Sequence, residues 1–491
     1  MSSIKKQLIS GIGFTAISKY SGMFISLIIT AVLSRILSPD DFGTVAIATV
    51  IISFFGIISD LGIAPAIVQN KELENTDINN LFSFTFWLSL IISILFFLSA
   101  DLIANYYNSP QLVNICRILS LSLFFNTLNI VPNALLYRNK EFKFIAKRTF
   151  VVQMITGFVA IIAALNGSGI YALLINPVLS AIFIFIITFR RFPQQVLLTS
   201  GFGTLKKIFS YSFYQFLFNL INYFSRNLDK LLIGRFMGMS QLGYYEKSYR
   251  LMMLPLQNIT HVITPVMHPI LSDYQDNVNY LEAAYLKIVR IMALIGFPLS
   301  VFLHFTAKEL MLLIFGMQWE ASVPVFEILA LTVGIQIVLS TSGSIFQAAG
   351  DTKSLFICGL FSAFTNVSGM LIGIFVFKSL NAVAWSILIT FTINFVQAYG
   401  QMYFITFKLP IRSFLRLYVS PLLLSLLLFL VFILKDYFIP IDNLFFSLAV
   451  NTVLFFLLSI MYVQLAKEYN IAQWLKVLLQ KGKNSNDQVE K

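Results

Sequence analysis

Charged residues inside long apolar stretches are the feature of this sequence that best indicates chemistry. Lys19 lies within the first apolar stretch, about 16 Å from its start at a helical rise of about 1.5 Å per residue. A later stretch carries Arg226, Asp229 and Lys230. An ionisable side chain near the centre of a bilayer costs about 2.5–3.5 kcal/mol on insertion scales, so it normally faces protein or water. These residues are therefore candidates for contact with a ligand or an ion.

The candidate site residues divide by charge into two groups. Arginine and lysine neutralise phosphate, and arginine adds bidentate hydrogen bonds. The excess of cations therefore predicts a cavity for a diphosphate and sugar headgroup, lined by Lys19, Arg226, Lys230, Arg250, Lys287 and Arg290. The candidates for carrying a coupling proton or sodium ion are Asp60, Asp229 and Glu246.

Each of these charges also has a purely structural interpretation. Lys19 can pair with Asp60 and so only lower the cost of its own burial. Glu246 and Arg250 are four residues apart on one predicted helix, a spacing that places two side chains on the same face. The sequence leaves both interpretations open.

Composition requires that lipid surrounds much of this chain. Of 491 residues, 58% are hydrophobic and 11% are charged, whereas soluble domains average about 25% charged residues. A bilayer core of about 30 Å needs about 20 apolar residues per helix, which predicts an all-α, polytopic protein with about fourteen transmembrane helices. The predicted spans are 8–34, 42–67, 80–105, 111–136, 144–165, 169–189, 208–234, 241–268, 283–304, 322–347, 353–377, 380–406, 414–434 and 443–465.

The basic residues outside the spans predict the orientation. Most of them alternate onto one side of the membrane, among them Lys71, Arg138, Lys140 and Arg190. Cytoplasmic loops carry such an excess, so both termini are predicted to be cytoplasmic. The net charge of +12 then reflects this bias and does not indicate a nucleic-acid partner.

An internal repeat predicts the domain organisation. Residues 35–43 and 235–243 both run from Arg to Gly over the same length, and Gly169–Ala172 has a weaker echo in Asn381–Ala384. Two matches in the same order favour a parallel repeat of two six-helix lobes around a central cavity, with two extra C-terminal helices. The predicted domains are an N-terminal lobe (1–200), a C-terminal lobe (201–410), the additional pair (411–466), and a cytoplasmic amphipathic helix with a disordered tail (467–491).

Catalytic patterns are missing from the sequence. It has no Gly-rich phosphate loop with lysine, and its two cysteines and three histidines have no metal-ligand spacing. A polymerase would be expected to carry a large extracytoplasmic loop, and the predicted outer loops are short. We therefore expect neither an enzyme nor a cofactor or metal.

An ordered series of short motifs resembles a known transporter family. The series comprises LSRILSPDDFG (33–43), SDLGIAPAIVQ (59–69), ALLYR (134–138) with Phe142-Lys143, RNLDKLLIGR (226–235), LGYY (242–245), PILS (269–272) and GMQW (316–319). It is similar to the polysaccharide-transporter family of O-antigen flippases, of the Wzx-like, colanic-acid-exporter type. That family belongs to the multidrug/oligosaccharidyl-lipid/polysaccharide exporter superfamily. The likeness covers about residues 5–410.

This resemblance implies a flippase of the bacterial inner membrane. The implied activity is movement of undecaprenyl-diphosphate-linked oligosaccharides for lipopolysaccharide or exopolysaccharide synthesis, by alternating access. The implied partners are the lipid-linked oligosaccharide and membrane lipids, and contact with polymerase and export machinery stays open. The alternative is an ion-coupled multidrug-type antiporter, which would need an acidic cavity for cationic drugs. The buried excess here is basic, which favours the flippase.

Overall fold

The described part of the chain is helical throughout. The computed structural model describes residues 20–70, 72–197, 220, 223–224, 226–272, 274–275 and 277–466, and these contain no β-strand. The helices of the first half are α1 (Tyr20–Ile36), α2 (Pro39–Asp60), α3 (Ile63–Gln69), α4 (Asn75–Leu98), α5 (Ala100–Tyr107), α6 (Gln111–Leu128), α7 (Ile130–Arg138), α8 (Phe142–Leu165), α9 (Ala172–Arg191) and α10 (226–236). The predicted all-α fold is confirmed.

The second half continues in the same way from α11. Its helices are α11 (Met239–Ser272), α12 (Val278–Phe305), α13 (Ala307–Phe315), α14 (Val323–Ala330), α15 (Thr332–Leu339), α16 (Ser342–Ala348), α17 (Thr352–Leu371), α18 (Leu380–Gln401), α19 (Arg412–Leu417), α20 (Val419–Phe438) and α21 (Leu444–Leu465). Short 3-10 or π segments flank several of these helices, such as Gly169–Tyr171 before α9.

Many of these helices are long and apolar enough to cross a membrane. Within the described residues ten helices meet that condition, or eleven if the pair Met317–Ala330 and Thr332–Ala348, bent by 46°, forms one span. Predicted span 8–34 is described only from Tyr20, and most of span 208–234 and the predicted amphipathic segment 467–491 lie outside the described residues. The count of fourteen therefore stays a prediction.

The outer surface of these helices carries many large apolar side chains. On α20 and α21, Leu434, Phe438, Phe445 and Leu457 are all exposed. Exposed apolar side chains in such number have no favourable solvent except lipid. The protein is therefore a multi-pass membrane protein.

Local signals set where individual helices begin. Before α2, the Ser38 hydroxyl accepts a hydrogen bond from the Asp41 amide (3.2 Å), and the Asp41 carboxylate accepts one from the Ser38 amide (3.0 Å). This reciprocal pair is a capping box. Pro39 is the first helical residue, where its missing N–H costs nothing. The sequence SPDD thus starts α2 at a defined residue, which fixes the register of Gly43.

Contacts divide the chain into two compact units. The first unit comprises Met1–Lys247, Ile314–Ala321 and Ile374–Leu380, and the second comprises Ser248–Leu313, Ser322–Gly373 and Asn381–Lys491. In the first unit, Leu81, Phe82 and Val131 belong to a buried core cluster. In the second, Leu428 and Phe432 of α20 form a core with side chains of α12 and α21. The predicted lobes and their boundaries stay a prediction.

Each unit also contains a polar contact of the same kind between two neighbouring spans. In the first, the Thr156 hydroxyl of α8 donates to the Asn176 side chain of α9 (2.8 Å). In the second, the Thr365 hydroxyl of α17 donates to the Asn394 side chain of α18 (2.8 Å). Such bonds between helices in lipid are worth about 0.6 kcal/mol on average. These bonds therefore determine which faces of the two helices meet, and they add little to the stability of the helix pair.

Candidate functional site

Two of the predicted charges of α10, Asp229 and Lys230, form a cluster with the start of α11 in the first unit. Asp229 is 3% exposed. Its carboxylate accepts hydrogen bonds from the Tyr245 hydroxyl (2.6 Å) and from the Lys230 amide (2.8 Å). A buried carboxylate needs such donors because burial removes its water. Asp229 is thus a fully enclosed acidic group, and its predicted role in ion coupling stays a prediction.

An ion pair between the two helices lies beside Asp229. The Lys230 Nζ is 2.7 Å from the Glu246 Oε2, and their side chains are 17% and 26% exposed. The helical spacing of four residues suggested Arg250 as a partner for Glu246. The structure shows that Glu246 binds a lysine of the neighbouring helix, which spacing along one helix does not reveal.

Reversing the charge of Lys230 tests this pair. Lys230→Glu places a third carboxylate beside Asp229 and Glu246, and we expect it to destabilise the fold by about 3 kcal/mol. The double variant Lys230→Glu/Glu246→Lys should recover at least half of that loss. The measurement is thermal or denaturant unfolding in detergent.

An exposed pair supplies the control for this experiment. Arg117 and Asp101 are 2.9 Å apart with side chains 40% and 60% exposed, so Arg117→Glu should cost less than about 1 kcal/mol. Equal losses of stability at the two sites would show that burial does not strengthen the pair of Lys230 and Glu246.

The repeated glycines lie opposite each other where α2 meets the start of α11, also within the first unit. A Cβ added to Gly43 would clash with the Met239 carbonyl oxygen, and one added to Gly243 would clash with the Pro39 carbonyl oxygen. The Ser240 hydroxyl donates to the Asp40 carboxylate at the same crossing (3.0 Å). Because the two backbones approach each other this closely, a residue with a Cβ does not fit at either position, which explains both glycines.

Lys247 occupies a buried cage of aromatic rings in the first unit. It is 1% exposed. Its Nζ lies 3.4 Å from the ring centre of Phe42 and 4.9 Å from those of Phe315 and Trp319, and it donates to the Ser34 hydroxyl (2.6 Å). Ring faces attract a desolvated ammonium by about 2 kcal/mol. The cage therefore compensates part of the cost of burying this charge.

The GMQW motif builds one wall of the cage. The Trp319 indole N–H donates to the Ser34 carbonyl oxygen (2.8 Å), and the Gln318 side chain donates to the carbonyl of Leu37 (2.8 Å). These bonds tie the 3-10 helix Met317–Ser322 to the end of α1. The motif thus closes the cage around Lys247.

Removing one ring of the cage should destabilise the protein strongly only while the Lys247 ammonium is present. We expect Phe42→Leu to cost about 3 kcal/mol, because it leaves a cavity and a buried charge with less compensation. In a Lys247→Met background the same change should cost about 1 kcal/mol, since no charge remains. Unfolding of all four proteins in one detergent measures the coupling. A cost that is equal in both backgrounds would contradict the cation–ring contact.

Lys247 is not among the site residues predicted from the sequence. Its neighbours Glu246 and Arg250 were selected by their spacing, whereas Lys247 resembles an ordinary residue of a polar helix start. A signal was present in the sequence, because Phe42 and Trp319 both belong to motifs of the resemblance. Only the fold brings these two distant motifs onto one lysine.

The predicted cations of the second unit lie on α11 and α12. Lys287 and Arg290 are both exposed, and Arg250 is half-buried. Along α12, Lys287 is about 13 Å and Arg290 about 18 Å from the start of the helix, at a rise of about 1.5 Å per residue. Their spacing of three residues places them on one face. Measured from the start of the predicted span 283–304, Lys287 is about 6 Å and Arg290 about 11 Å inside it.

Arg226 and Asp60 take no part in the hydrogen bonds and the ion pair around Asp229. Arg226 is exposed on α10. Asp60 ends α2, and its carboxylate accepts a long hydrogen bond from the Ala64 amide (3.5 Å). Lys19 lies outside the described residues, so the proposed pair with Asp60 stays a prediction. The described residues contain no group of histidine, cysteine and acidic side chains that could hold a metal ion.

The arrangement of helices matches a solved transporter over nearly its whole length. The lipid II flippase MurJ, in its inward closed conformation, superimposes with a TM-score of 0.73 at 16% identity, covering 93% of this chain and 99% of that chain. The chain thus has the fold of a multi-pass membrane transporter of the MurJ type.

Sequence comparison identifies the family. The chain belongs to the polysaccharide biosynthesis protein family, whose model matches residues 32–324. It is 25% identical over 439 residues to the teichuronic acid biosynthesis protein TuaB of Bacillus subtilis, covering 87% of this chain and 88% of TuaB. It is 24% identical over 436 residues to the lipopolysaccharide biosynthesis protein WzxC of Escherichia coli, covering 86% and 85%. These relationships confirm the predicted family. They also confirm the prediction that the protein is a transporter and not an enzyme.

Proposed function

We propose that this protein is a flippase for undecaprenyl-diphosphate-linked oligosaccharides. It moves them across the bacterial inner membrane, from the cytoplasmic to the periplasmic leaflet, by alternating access, for lipopolysaccharide or exopolysaccharide synthesis. The observation that carries the proposal is the family match over residues 32–324. Support comes from relatives named for the biosynthesis of teichuronic acid and lipopolysaccharide, and from a fold shared with a protein named as a lipid II flippase.

The exposed cations supply the chemistry that a diphosphate needs. A charge exposed deep in a predicted span must face water or an anion, because lipid tails do not solvate it. Arg226 and Arg290 are exposed about 12 Å and 11 Å from the nearer ends of their predicted spans, and the exposed Lys287 lies one turn closer to the end. Guanidinium groups bind phosphate oxygens through paired hydrogen bonds. In this proposal these three residues neutralise the diphosphate during transport.

Two further lysines, of which only Lys230 is a predicted site residue, have structural roles in the same proposal. Lys230 is neutralised by Glu246, and Lys247 is enclosed by rings. Their charges hold α10, α11 and the 3-10 helix together. We further propose that both termini face the cytoplasm, as the charge distribution of the loops indicates. Polymerase and export machinery would then receive the product on the opposite side.

The decisive experiment locates the lipid-linked oligosaccharide after the protein is depleted from its native cell. A membrane-impermeant enzyme that modifies sugars is applied to intact and to everted membrane vesicles. Accumulation on the cytoplasmic face, reversed by the wild-type chain, supports the flippase. Unchanged sidedness with loss of polymer would indicate a role in assembly, and unchanged sidedness with normal polymer in cells lacking redundant flippases would favour the small-molecule antiporter.

A further inference from the structure

A polar cavity opens in the first unit, and none of its lining residues belongs to the clusters around Asp229 and Lys247. Its volume is about 620 Å³, within the range of small-molecule sites. It lies among the start of α4, the end of α7 and the segment that follows α9. The lining residues are Leu73, Asn75, Ile78, Asn79, Leu135, Arg138, Asn139, Phe192, Pro193, Gln194 and Gln195, so polar groups predominate and no carboxylate is included.

Hydrogen bonds to α4 hold the segment after α9 in place. The Gln195 amide donates to the Asn79 side chain (3.0 Å), and the Leu197 amide donates to the Ser83 hydroxyl (2.7 Å). The partners in each bond are more than 110 residues apart in the chain. This wall of the cavity is therefore fixed by tertiary contacts.

Gln194 is the side chain that most clearly indicates a ligand. It is 8% exposed. Its Nε2 donates to the Phe192 carbonyl oxygen. Its Oε1 is buried and accepts no hydrogen bond from the described residues. Buried amide oxygens without a donor are uncommon in folded proteins and call for an explanation. A hydroxyl of a bound molecule would supply the missing donor if the side chain turned this oxygen, which is closed off from solvent, toward the cavity.

Arg138 adds a positive charge to the same cavity. Its Nη2 donates to the Leu73 carbonyl oxygen (3.2 Å), which positions the guanidinium in the wall. The side chains of Asn75, Asn139 and Gln195 contribute further amides. Amides both donate to and accept from hydroxyl groups, and a guanidinium binds phosphate or carboxylate. Together they match a sugar that carries an anionic group.

We propose that this cavity is a saccharide-phosphate site that receives the headgroup of the substrate before transport. The inference rests on the proposed function for the source of the ligand and on the orientation that puts Arg138 on the cytoplasmic side. Arg138 contacts the phosphate, and Gln194 accepts a hydrogen bond from a sugar hydroxyl. A soluble sugar phosphate shares this chemistry, so the test must separate the two sources.

Binding is tested first, with the full chain in lipid nanodiscs. The probes are N-acetylglucosamine 1-phosphate, N-acetylglucosamine and inorganic phosphate, observed by saturation-transfer NMR. We expect the sugar phosphate to bind best. Gln194→Leu should raise its Kd at least fivefold while the melting temperature is unchanged or higher, because the variant removes a buried oxygen without a donor. The exposed change Gln111→Leu is the matched control and should alter neither quantity.

Two results of the binding experiment would overturn the site. One is an absence of saturation transfer to every probe with the wild-type chain. The other is a Gln194→Leu protein that melts normally and binds the sugar phosphate as the wild type does. Arg138→Gln provides a second variant, and it should weaken binding of the sugar phosphate more than that of the neutral sugar.

The source of the ligand is tested by transport in vesicles that contain the lipid-linked oligosaccharide. If the cavity receives this lipid, Gln194→Leu raises the apparent KM at least fivefold and leaves kcat unchanged. If Gln194→Leu transports the lipid with unchanged kinetics but no longer binds the free sugar phosphate, the lipid source is overturned and the site belongs to a soluble ligand. Failure of the wild-type chain to transport any lipid, with probe binding intact, would instead refute the proposed function alone.

Discussion

Replacing Gly43 by alanine is expected to destabilise the protein by about 3 kcal/mol and to abolish transport. A Cβ at this position has no space, because the Met239 carbonyl oxygen is a rigid backbone atom and cannot rotate away. Overpacking of this kind costs about 1–3 kcal/mol even where flexible side chains can adjust. Gly243→Ala should have a similar effect, since its Cβ meets the Pro39 carbonyl oxygen. Thermal unfolding in detergent and vesicle transport measure the two losses.

Helix α2 also supplies a control substitution whose expected effect on stability is neutral or of the opposite sign. A Cβ added to Gly56 in α2 meets nothing within 4 Å. Alanine is a better helix former than glycine by about 1 kcal/mol, so Gly56→Ala should be neutral or stabilising. The double variant Gly43→Ala/Gly243→Ala should cost less than the sum of the single changes, because one separation of the two helices relieves both clashes. Equal effects at Gly43 and Gly56 would contradict the close helix crossing.

Neutralising Arg226, Lys287 and Arg290 together should reduce transport of the lipid-linked oligosaccharide at least 100-fold. Hydrogen bonds to charged groups contribute about 1.5–3 kcal/mol each, and about 1.4 kcal/mol corresponds to a factor of ten. Glutamine at each position removes the charge and retains hydrogen-bonding capacity. The measurement is the initial rate of flipping in vesicles, with the amount of inserted protein determined in the same samples.

A triple variant outside this site controls for the loss of net charge. Lys308, Lys353 and Lys378 are all exposed, and their replacement by glutamine also removes three positive charges. We expect transport within about twofold of the wild type. If export survives neutralisation of Arg226, Lys287 and Arg290, these cations do not bind the diphosphate and the flippase hypothesis loses its main chemical support.

The ion pairs and the cage show what single-helix spacing could not reveal. Glu246 and Arg250 have the right separation for a pair on one helix, yet Glu246 binds Lys230 of the preceding helix. The choice depends on how far α10 and α11 are rotated about their axes, which is decided by packing of their apolar faces. Lys247 lies next to Glu246 in sequence but points into rings from α2, α13 and the GMQW segment.

The sequence by itself determined the membrane environment, the extents of most helices, the family and the repeated Arg-to-Gly segment. These properties depend on hydrophobicity, caps and motifs that act over a few consecutive residues, so one chain displays them directly. Tertiary structure alone decided the partner of Glu246, the burial of Lys247, the contact of Gly43 with the start of α11 and the cavity around Gln194. Each of these joins segments that are distant in sequence, and their distances depend on how helices rotate and pack.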